Sequence, residues 1–520
     1  MVLHRKKRRT EAGKAETEPV DDGFGDKIII KFNDAVSSEV GDQLEVPLDC
    51  QLEQLKSVLK SYLTEEEQLD DYSLVVSGLG VEITTTIRAA LHGAVERGMS
   101  VSTEDTLMIS YYSLTPFKVR PVARLSGSLR GHTGTILCLA FSPDGKSMAT
   151  GSGDCQVRLW DLSTVTPICV LKGHTRPVVS LAWSPDCKWL ASGSEDKSVR
   201  VWQADKCFTS SQPEPKVLRL HTDTVTALDF MPMHLHKQWQ NGAPLLLSGA
   251  RDGTVKIWNT CLGNVVSHLN GHAKMVTSAR WSGASEAVDD EGKSCTGPFV
   301  YSASRDMTVR VWSALTGLPI RVVKCHGHWV NALSCNTDGI IKRGPYDHNG
   351  ELPSAAQTPF KLAEEAWNKE FRNLGEERVV TCSDDNTLSL WVLLKNDQRV
   401  QQMTGHQKAV CHACFSPNGR YVISAGFDSA IRLWDGRTGK FLHTYRGHVG
   451  PVYQVSWAPD SKLFVSCSRD STLKVWDTSE RKLKEDLPGA ADEIYAVQWS
   501  PDCARVASGG RDKIVRIWCH

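Results

Sequence analysis

Eight tryptophans recur along the chain from residue 117 onward, and their spacing limits the fold more than any other feature. They are Trp160, Trp202, Trp258, Trp312, Trp391, Trp434, Trp476 and Trp518. Six residues before each stands an aspartate: Asp154, Asp196, Asp252, Asp306, Asp385, Asp428, Asp470 and Asp512. Four residues before each aspartate stands a hydroxyl: Thr150, Ser192, Ser248, Ser302, Thr381, Ser424, Ser466 and Ser508. Upstream of seven units the pattern places a histidine: His132, His174, His221, His272, His328, His406 and His448. Glycine precedes six of them, and Leu220 precedes His221. Fixed offsets over eight copies mark a repeat architecture.

Each unit reads as short alternating strands separated by turns such as "PDG", "PNG" and "RDG". One such four-stranded unit cannot bury its faces alone, so copies pack radially into a propeller. The pattern resembles WD40 repeats and covers about three quarters of the chain. That resemblance implies a hydrogen-bonded network in each blade. The turn Asp orients the His, the His reaches the hydroxyl, and the chain of bonds ends at the Trp N–H. Such a network satisfies buried polar groups and holds strand register. A Ser/His/Asp set also invites a hydrolase reading, but that chemistry needs one exposed, activated nucleophile. Here every hydroxyl lies in an apolar strand, as in "WLASGS" and "YVISAG".

The chain ends at "VRIWCH", two residues past Trp518, leaving the last blade without an outer strand. Phe117 to Leu129 is expected to supply it and remove an open sheet edge. The eighth unit carries Ala490 where histidine is expected, so an incomplete network is expected there. Insertions lengthen the third unit (229–245) and the fifth (335–378). Within the latter, "FKLAEEAWNKEFRNLG" puts Leu362, Ala366 and Phe371 near helical spacing, with Gly375 as terminator. Propeller insertions map to loops that contact partners or merely decorate the surface.

Residues 26–115 do not repeat. "DKIIIKF" and "DQLEVPL" read as strands, followed by a helix with Asp49 as N-cap and Leu52, Leu55, Leu59 and Leu63 on one face. "YSLVVSG" and "TLMISYY" supply further strands. Strands with one covering helix suggest an α+β sheet, and the order resembles the ubiquitin-like β-grasp fold. The expected class is therefore mainly β: an eight-bladed WD40 β-propeller (116–520) preceded by a small α+β ubiquitin-like domain (26–115).

The first 25 residues are polar, charged and expected to be disordered. They hold the run Arg5, Lys6, Lys7, Arg8 and Arg9, which reads as nuclear import, contact with RNA phosphates or a solvated tail. Basic and acidic residues balance at 60 each, so net charge favours no partner class. No apolar run reaches membrane-spanning length and no apolar signal core opens the chain. The 16 cysteines are scattered through apolar strands, which suits free thiols in a reducing compartment. Cys411 and Cys414 read as strand rather than metal site, because no second ligand pair stands nearby.

Order and motifs together resemble the Notchless family of ribosome-assembly factors. The most specific pieces are "STEDTL", "FKVRPVAR", "RGPYDHNG", "MTGHQKAV", "FDSAIRLWDGRTGKF" and "GHVGPVYQVSW". The resemblance implies a nuclear, nucleolar or nucleoplasmic monomer that binds no membrane. Its propeller would sit on the precursor of the 60S subunit and touch its proteins and rRNA. Its front domain would dock the AAA ATPase midasin. By position, Glu104 would complete the coordination of an Mg²⁺ at midasin's adhesion site, and Asp105 is the competing carboxylate. From the residues alone, Glu104 is a solvated loop residue. The chain itself needs no resident cofactor and carries no G-x-x-x-x-G-K-[ST], so an enzyme is not expected. Two other classes stay open: a generic WD40 scaffold, such as a ubiquitin-ligase substrate receptor or Notch-pathway regulator, and a direct RNA binder using Arg251, Arg305, Arg469 and Arg511, each just before a turn Asp.

Overall fold

A computed structural model of the chain describes residues 27–34, 40–63, 72–77, 81–83, 85–96, 106–113, 119–209, 213–238, 243–288, 293–353, 358–394, 398–487 and 489–520. The chain forms two compact units, Met1–Pro116 and Phe117–His520.

In the first unit, apolar alternation builds the strands. In β1 (Lys27–Asp34) the side chains of Ile28, Ile30 and Phe32 are buried while Lys27 and Ile29 are exposed. β1 pairs antiparallel with β2 (Val40–Pro47) and parallel with β5 (Leu107–Ser113). β3 (Tyr72–Val76) pairs antiparallel with β5 and with β4 (Val81–Glu82). The sheet order is β2-β1-β5-β3-β4. Helix α1 (Leu52–Tyr62) turns Leu55 and Leu59 into the same core as Ile30, Leu74 and Ile109. Its N-cap is Gln51 rather than Asp49: the Gln54 side chain accepts the Gln51 N–H at 3.1 Å. Asp49 is drawn away by the Arg88 guanidinium, 2.8 Å from its carboxylate. Arg88 lies in α2 (Ile87–Glu96), a helix missing from the sequence reading. Its signal was present, since Ile87, Ala90, Leu91 and Ala94 follow helical spacing and are all buried.

In the second unit the repeat becomes eight four-stranded antiparallel sheets among the described residues. We number them by their first strands: Ile136–Phe141, Val178–Trp183, Val225–Phe230, Val276–Trp281, Val330–Cys335, Val410–Phe415, Val452–Trp457 and Ile494–Trp499. Neighbouring first strands are tied in one register. At four of the eight junctions the fifth residue of one accepts the N–H of the sixth residue of the next, as in Asp229 to Trp281 (2.9 Å) and Ser456 to Trp499 (3.0 Å). Gln498 does the same for Phe141 at 3.1 Å, which brings sheet 8 back onto sheet 1. Apolar residues fill each junction. Leu159, Val178 and Trp202 pack between sheets 1 and 2, and Ile136, Met148 and Ile517 between sheets 8 and 1. Burying such side chains contributes about 1.5–3 kcal/mol each, the main stabilising term of the ring.

The outer strand of sheet 8 is Arg124–Leu129, paired antiparallel with Val515–Cys519, so the unit is closed by its own two ends. The third-unit insertion is shorter than its sequence bounds. Asp229 and Phe230 still belong to a strand, the next strand begins at Leu245, and a 3-10 turn Met233–Gln238 lies between them. The fifth-unit insertion holds two helices, Asp338–Arg343 and Pro359–Leu374. The second has Thr358 as N-cap, proline at its start and Gly375 (φ 74°) as stop. It anchors through Leu362, Ala363 and Trp367, and Ala366 is only half-buried. A further hairpin, Glu286–Val288 with Ser294–Thr296, lengthens the fourth unit and escaped the sequence reading.

Candidate partner interfaces

The polar networks come first, because they decide whether the second unit does chemistry or scaffolding. In sheet 1 the His132 Nδ1–H donates to Asp154 at 2.8 Å. His132 Nε2 accepts from the Thr150 hydroxyl at 2.8 Å, and that oxygen accepts the Trp160 N–H at 2.8 Å. The same chain of bonds recurs through His174, His221, His272, His406 and His448. The hydroxyls are wholly buried: Thr150, Ser192, Ser302 and Ser466 are 0% exposed. Capped by indole on one side and imidazole on the other, they are out of reach of any substrate. The arrangement has the atoms of a catalytic triad without an accessible nucleophile.

Sheet 5 corrects the sequence reading. Its network histidine is His326, not His328. His326 Nδ1 lies 2.9 Å from Asp385, and its Nε2 lies 2.9 Å from Thr381. His328 is exposed, with Nδ1 3.6 Å from Asp384. Strand register explains the choice. In the other six networks the histidine stands four residues ahead of the first residue of the first strand, as His132 does before Ile136. Counting back from Val330 gives His326. The preceding glycine misled; the count to the strand was the better signal.

Sheet 8 lacks the histidine. The Arg516 guanidinium takes the Asp512 carboxylate instead, and the buried Trp518 Nε1 has no partner among the described residues. Arg200 and Arg432 hold the equivalent place in sheets 2 and 6. Each donates to the carbonyl of the glycine before its histidine at 2.6 Å.

These networks make stability depend on acid. Burial alone would raise the carboxyls of Asp196, Asp252, Asp306, Asp385 and Asp470. The imidazole bond, a neighbouring hydroxyl and backbone N–H groups outweigh it and hold them well below the usual range. Burial likewise pulls the His132 and His221 imidazoles down, against the opposing pull of their aspartates. Both shifts act in one direction. The unfolded chain binds protons more readily, first at histidine below about pH 6.5 and then at aspartate below about pH 4. Stabilisation from the aspartates is fully present above their unfolded value and drains as pH falls through it. The unfolding midpoint is expected to stay level from about pH 8 to 7, decline below about 6.5 and drop steeply near 4. Differential scanning calorimetry across that range checks this, and a midpoint that rises on acidification contradicts it.

In the first unit, β5 is the strand that follows Glu104. It is pinned by β1 on one side and β3 on the other, with Leu107, Ile109 and Tyr111 buried beneath. Thr106 is the first described residue of this stretch, and Gln43 Nε2 donates to its hydroxyl at 3.5 Å. Glu104 and Asp105 lie outside the described residues, as does the basic run Arg5–Arg9. Among the described residues no group of three or more His, Cys, Asp or Glu is placed to hold a metal. Cys411 and Cys414 sit in the first strand of sheet 6, their thiols pushed up to about 12 by burial. The arginines before the turn aspartates pair locally: Arg251 with Asp223 (3.8 Å), Arg469 with Glu493 (3.1 Å) and Arg511 with Asp492 (3.6 Å). Arg305 lies over the Trp329 ring, 4.5 Å from its centroid.

The family model for the WD domain, G-beta repeat, matches residues 123–161, 165–203, 213–259, 263–313, 397–435, 439–477 and 481–519. Ribosome assembly protein 4 of Saccharomyces cerevisiae is 40% identical over 427 residues, covering 80% of this chain and 79% of that protein. Protein Notchless of Drosophila melanogaster is 36% identical over 410 residues, covering 78% of this chain and 77% of that one. This chain belongs to the Notchless and Ribosome assembly protein 4 family of WD40 proteins. Among solved structures, the crystal structure of the computationally designed Ika8 protein superposes with a TM-score of 0.56 at 25% identity, covering 76% of this chain and all of that one.

Within the second unit of this Notchless-family chain, the longest stretch that the repeat model passes over is 314–396, which holds the first three strands of sheet 5 and its insertion. That insertion packs against its own ring. Trp367 stacks on His234 of the third-unit insertion (4.2 Å between centroids), and Phe360 on His236 (4.8 Å). Buried Glu377, just before the strand Val379–Ser383, accepts from Ser282, Gly283 N–H, Thr337 and Tyr301 and so joins sheets 4 and 5. Beyond the first helix, Gly344 and Gly350 (φ 61° and 76°) pass against the backbone of Pro185 and Asp144 in sheets 2 and 1. A Cβ at either position would meet those backbones. The "YDHNG" segment is thus a strap across one end of the ring.

Proposed function

We propose that this chain is a non-enzymatic assembly factor of the large ribosomal subunit. It couples the precursor particle to the AAA ATPase midasin for ATP-driven remodelling and release of factors. The observation that carries the reading is the 40% identity to Ribosome assembly protein 4 across four fifths of both chains. In this reading the second unit is an eight-bladed propeller seated on the pre-60S particle. The first is a ubiquitin-like domain, supported by the β2-β1-β5-β3-β4 order with β1 parallel to β5 and a covering helix. Glu104 offers a carboxylate oxygen to an Mg²⁺ held by midasin, a hard cation that takes oxygen ligands in an octahedron. The strand that follows it in the sequence, β5, is paired with β1 on one side and β3 on the other. The working place is the nucleus and nucleolus.

Affinity purification of the tagged chain tests the whole. Large-subunit precursors together with midasin are expected. Cullin subunits in place of ribosomal precursors would establish the ubiquitin-ligase scaffold instead.

A further inference from the structure

The loops at one end of the ring carry a charge that composition hides. In each of the seven complete networks the His–Asp bond holds the loop before the first strand beside the turn between the second and third strands. The shared register of the first strands puts these ends on one face. Along sheets 1 to 4 this face presents Lys172, Arg176, Lys197, Arg219, Arg251 and Lys274, all exposed. The carboxylates beside them are half-buried: Glu195 and Asp223, and the turn aspartates Asp154, Asp196, Asp252 and Asp306, each bonded to its network histidine. Arg251 shares Asp223 at 3.8 Å; the other five cations have no ion pair among the described residues. The chain as a whole has a formal net charge of zero, whereas the exposed charges of this arc are cations and its carboxylates are drawn into the fold. An exposed pair such as Arg251–Asp223 contributes about 0–1 kcal/mol and exchanges readily for another anion.

The same face continues into exposed aromatic rings. Trp329, 37% exposed, lies under the Arg305 guanidinium, and Phe427 is 40% exposed on the turn of sheet 6. Phe427 meets Tyr453 edge-on, and Tyr453 lies beside Tyr495. A cationic arc running into ring faces is the chemistry that tracks a phosphate backbone while stacking unpaired bases.

We propose that this face binds single-stranded RNA, with the arc of sheets 1 to 4 on the phosphates and Trp329 and Phe427 on the bases. This rests on the ribosome-assembly reading for the supply of RNA, and it names the surface that meets it. An acidic protein segment would use the cations and leave the two exposed rings idle. The strap occupies loops at the opposite end of sheets 1 and 2, next to Asp144 and Pro185, and leaves this face open.

The test uses the full chain with Arg5, Lys6, Lys7, Arg8 and Arg9 changed to Ala, so that the tail does not mask the ring. Fluorescence anisotropy follows a labelled oligouridylate of about 20 nucleotides, long enough to span several stacking sites. Arg176→Glu, Lys197→Glu and Lys274→Glu combined are expected to weaken binding at least tenfold at about 0.1 M salt. They should also flatten the log–log salt slope by about 2, since each lost phosphate contact removes about 0.7. Trp329→Ala with Phe427→Ala is expected to weaken it about fivefold or more with the slope unchanged. Both variants should keep the parent unfolding midpoint. Unchanged RNA affinity in the triple variant overturns the proposal. So does a polyglutamate chain that binds more tightly than RNA and is lost in the same variant. Midasin capture by the triple variant should stay intact; its loss from wild type with RNA binding retained would refute the coupling and leave this face standing.

Discussion

Glu104→Asp is expected to abolish metal-dependent capture of the midasin adhesion domain while leaving the chain folded. The substitution keeps the charge and withdraws the carboxylate by one methylene. Mg²⁺ holds its oxygens at about 2.0–2.1 Å in a strict octahedron and tolerates little slack, so the shortened side chain forfeits the bond. The strand behind the residue cannot advance to compensate. β5 is hydrogen-bonded to β1 and β3 along its length and buries Leu107, Ile109 and Tyr111. Weakening of roughly a hundredfold or more is expected by calorimetric titration with Mg²⁺ present, comparable to Glu104→Ala, and wild-type binding should vanish in EDTA. Asp105→Ala should bind normally. Tight binding by Glu104→Asp, or capture that survives EDTA, would refute the ligand role, and loss on Asp105→Ala alone would move it one residue along. The substitution lies in a polar stretch, so the thermal unfolding midpoint should not move.

Periodic features were legible in the sequence and singular ones were not. A buried Trp, its hydroxyl and its turn Asp recur because every sheet must satisfy the same polar atoms in the same register, and recurrence is what a sequence displays best. The helix Pro359–Leu374 could likewise be read from its spacing, since Gly375 ends it as expected. Asp49 failed as a cap because Arg88, 39 residues away, competes for the same carboxylate. No local pattern announces such a rival. The strap across sheets 1 and 2 depends on two glycines passing a distant backbone, and the fourth-unit hairpin is tied to sheet 5 by the Val288 N–H to the Leu394 carbonyl (2.7 Å). Both are tertiary facts with no periodic trace. Of the basic face the sequence offered only Arg251 and Arg305, the arginines before turn aspartates. Lys172 and Arg219 each stand two residues before a network histidine and Arg176 and Lys274 two after one, but neither position is basic in every repeat, so only the closed ring assembles the arc.

The choice between His326 and His328 offers the clearest test of the network as a structural device. His326→Ala is expected to cost about 3 kcal/mol, because breaking a buried pair strands its partner rather than merely deleting a contact. The Asp385 carboxylate would lose its imidazole and keep the Gly327 and Thr387 groups. Thr381 would keep the Trp391 N–H at 3.3 Å and turn its own proton from the imidazole to the more distant Ser389 carbonyl at 3.4 Å. For a cooperative unit of this size that cost lowers the unfolding midpoint by about 3–4 °C. His328→Ala removes an exposed ring 3.6 Å from Asp384 and should fall within about 0.5 kcal/mol, under 1 °C. His326→Gln should recover part of the loss, since an amide can donate toward Asp385 and accept from Thr381, though not in the geometry of an imidazole. Scanning calorimetry of the three variants separates the cases. A larger cost at His328 than at His326 would mean that the histidine after the glycine, and not the one four residues ahead of the strand, carries the fifth network. The spacing rule would then have to yield to the glycine.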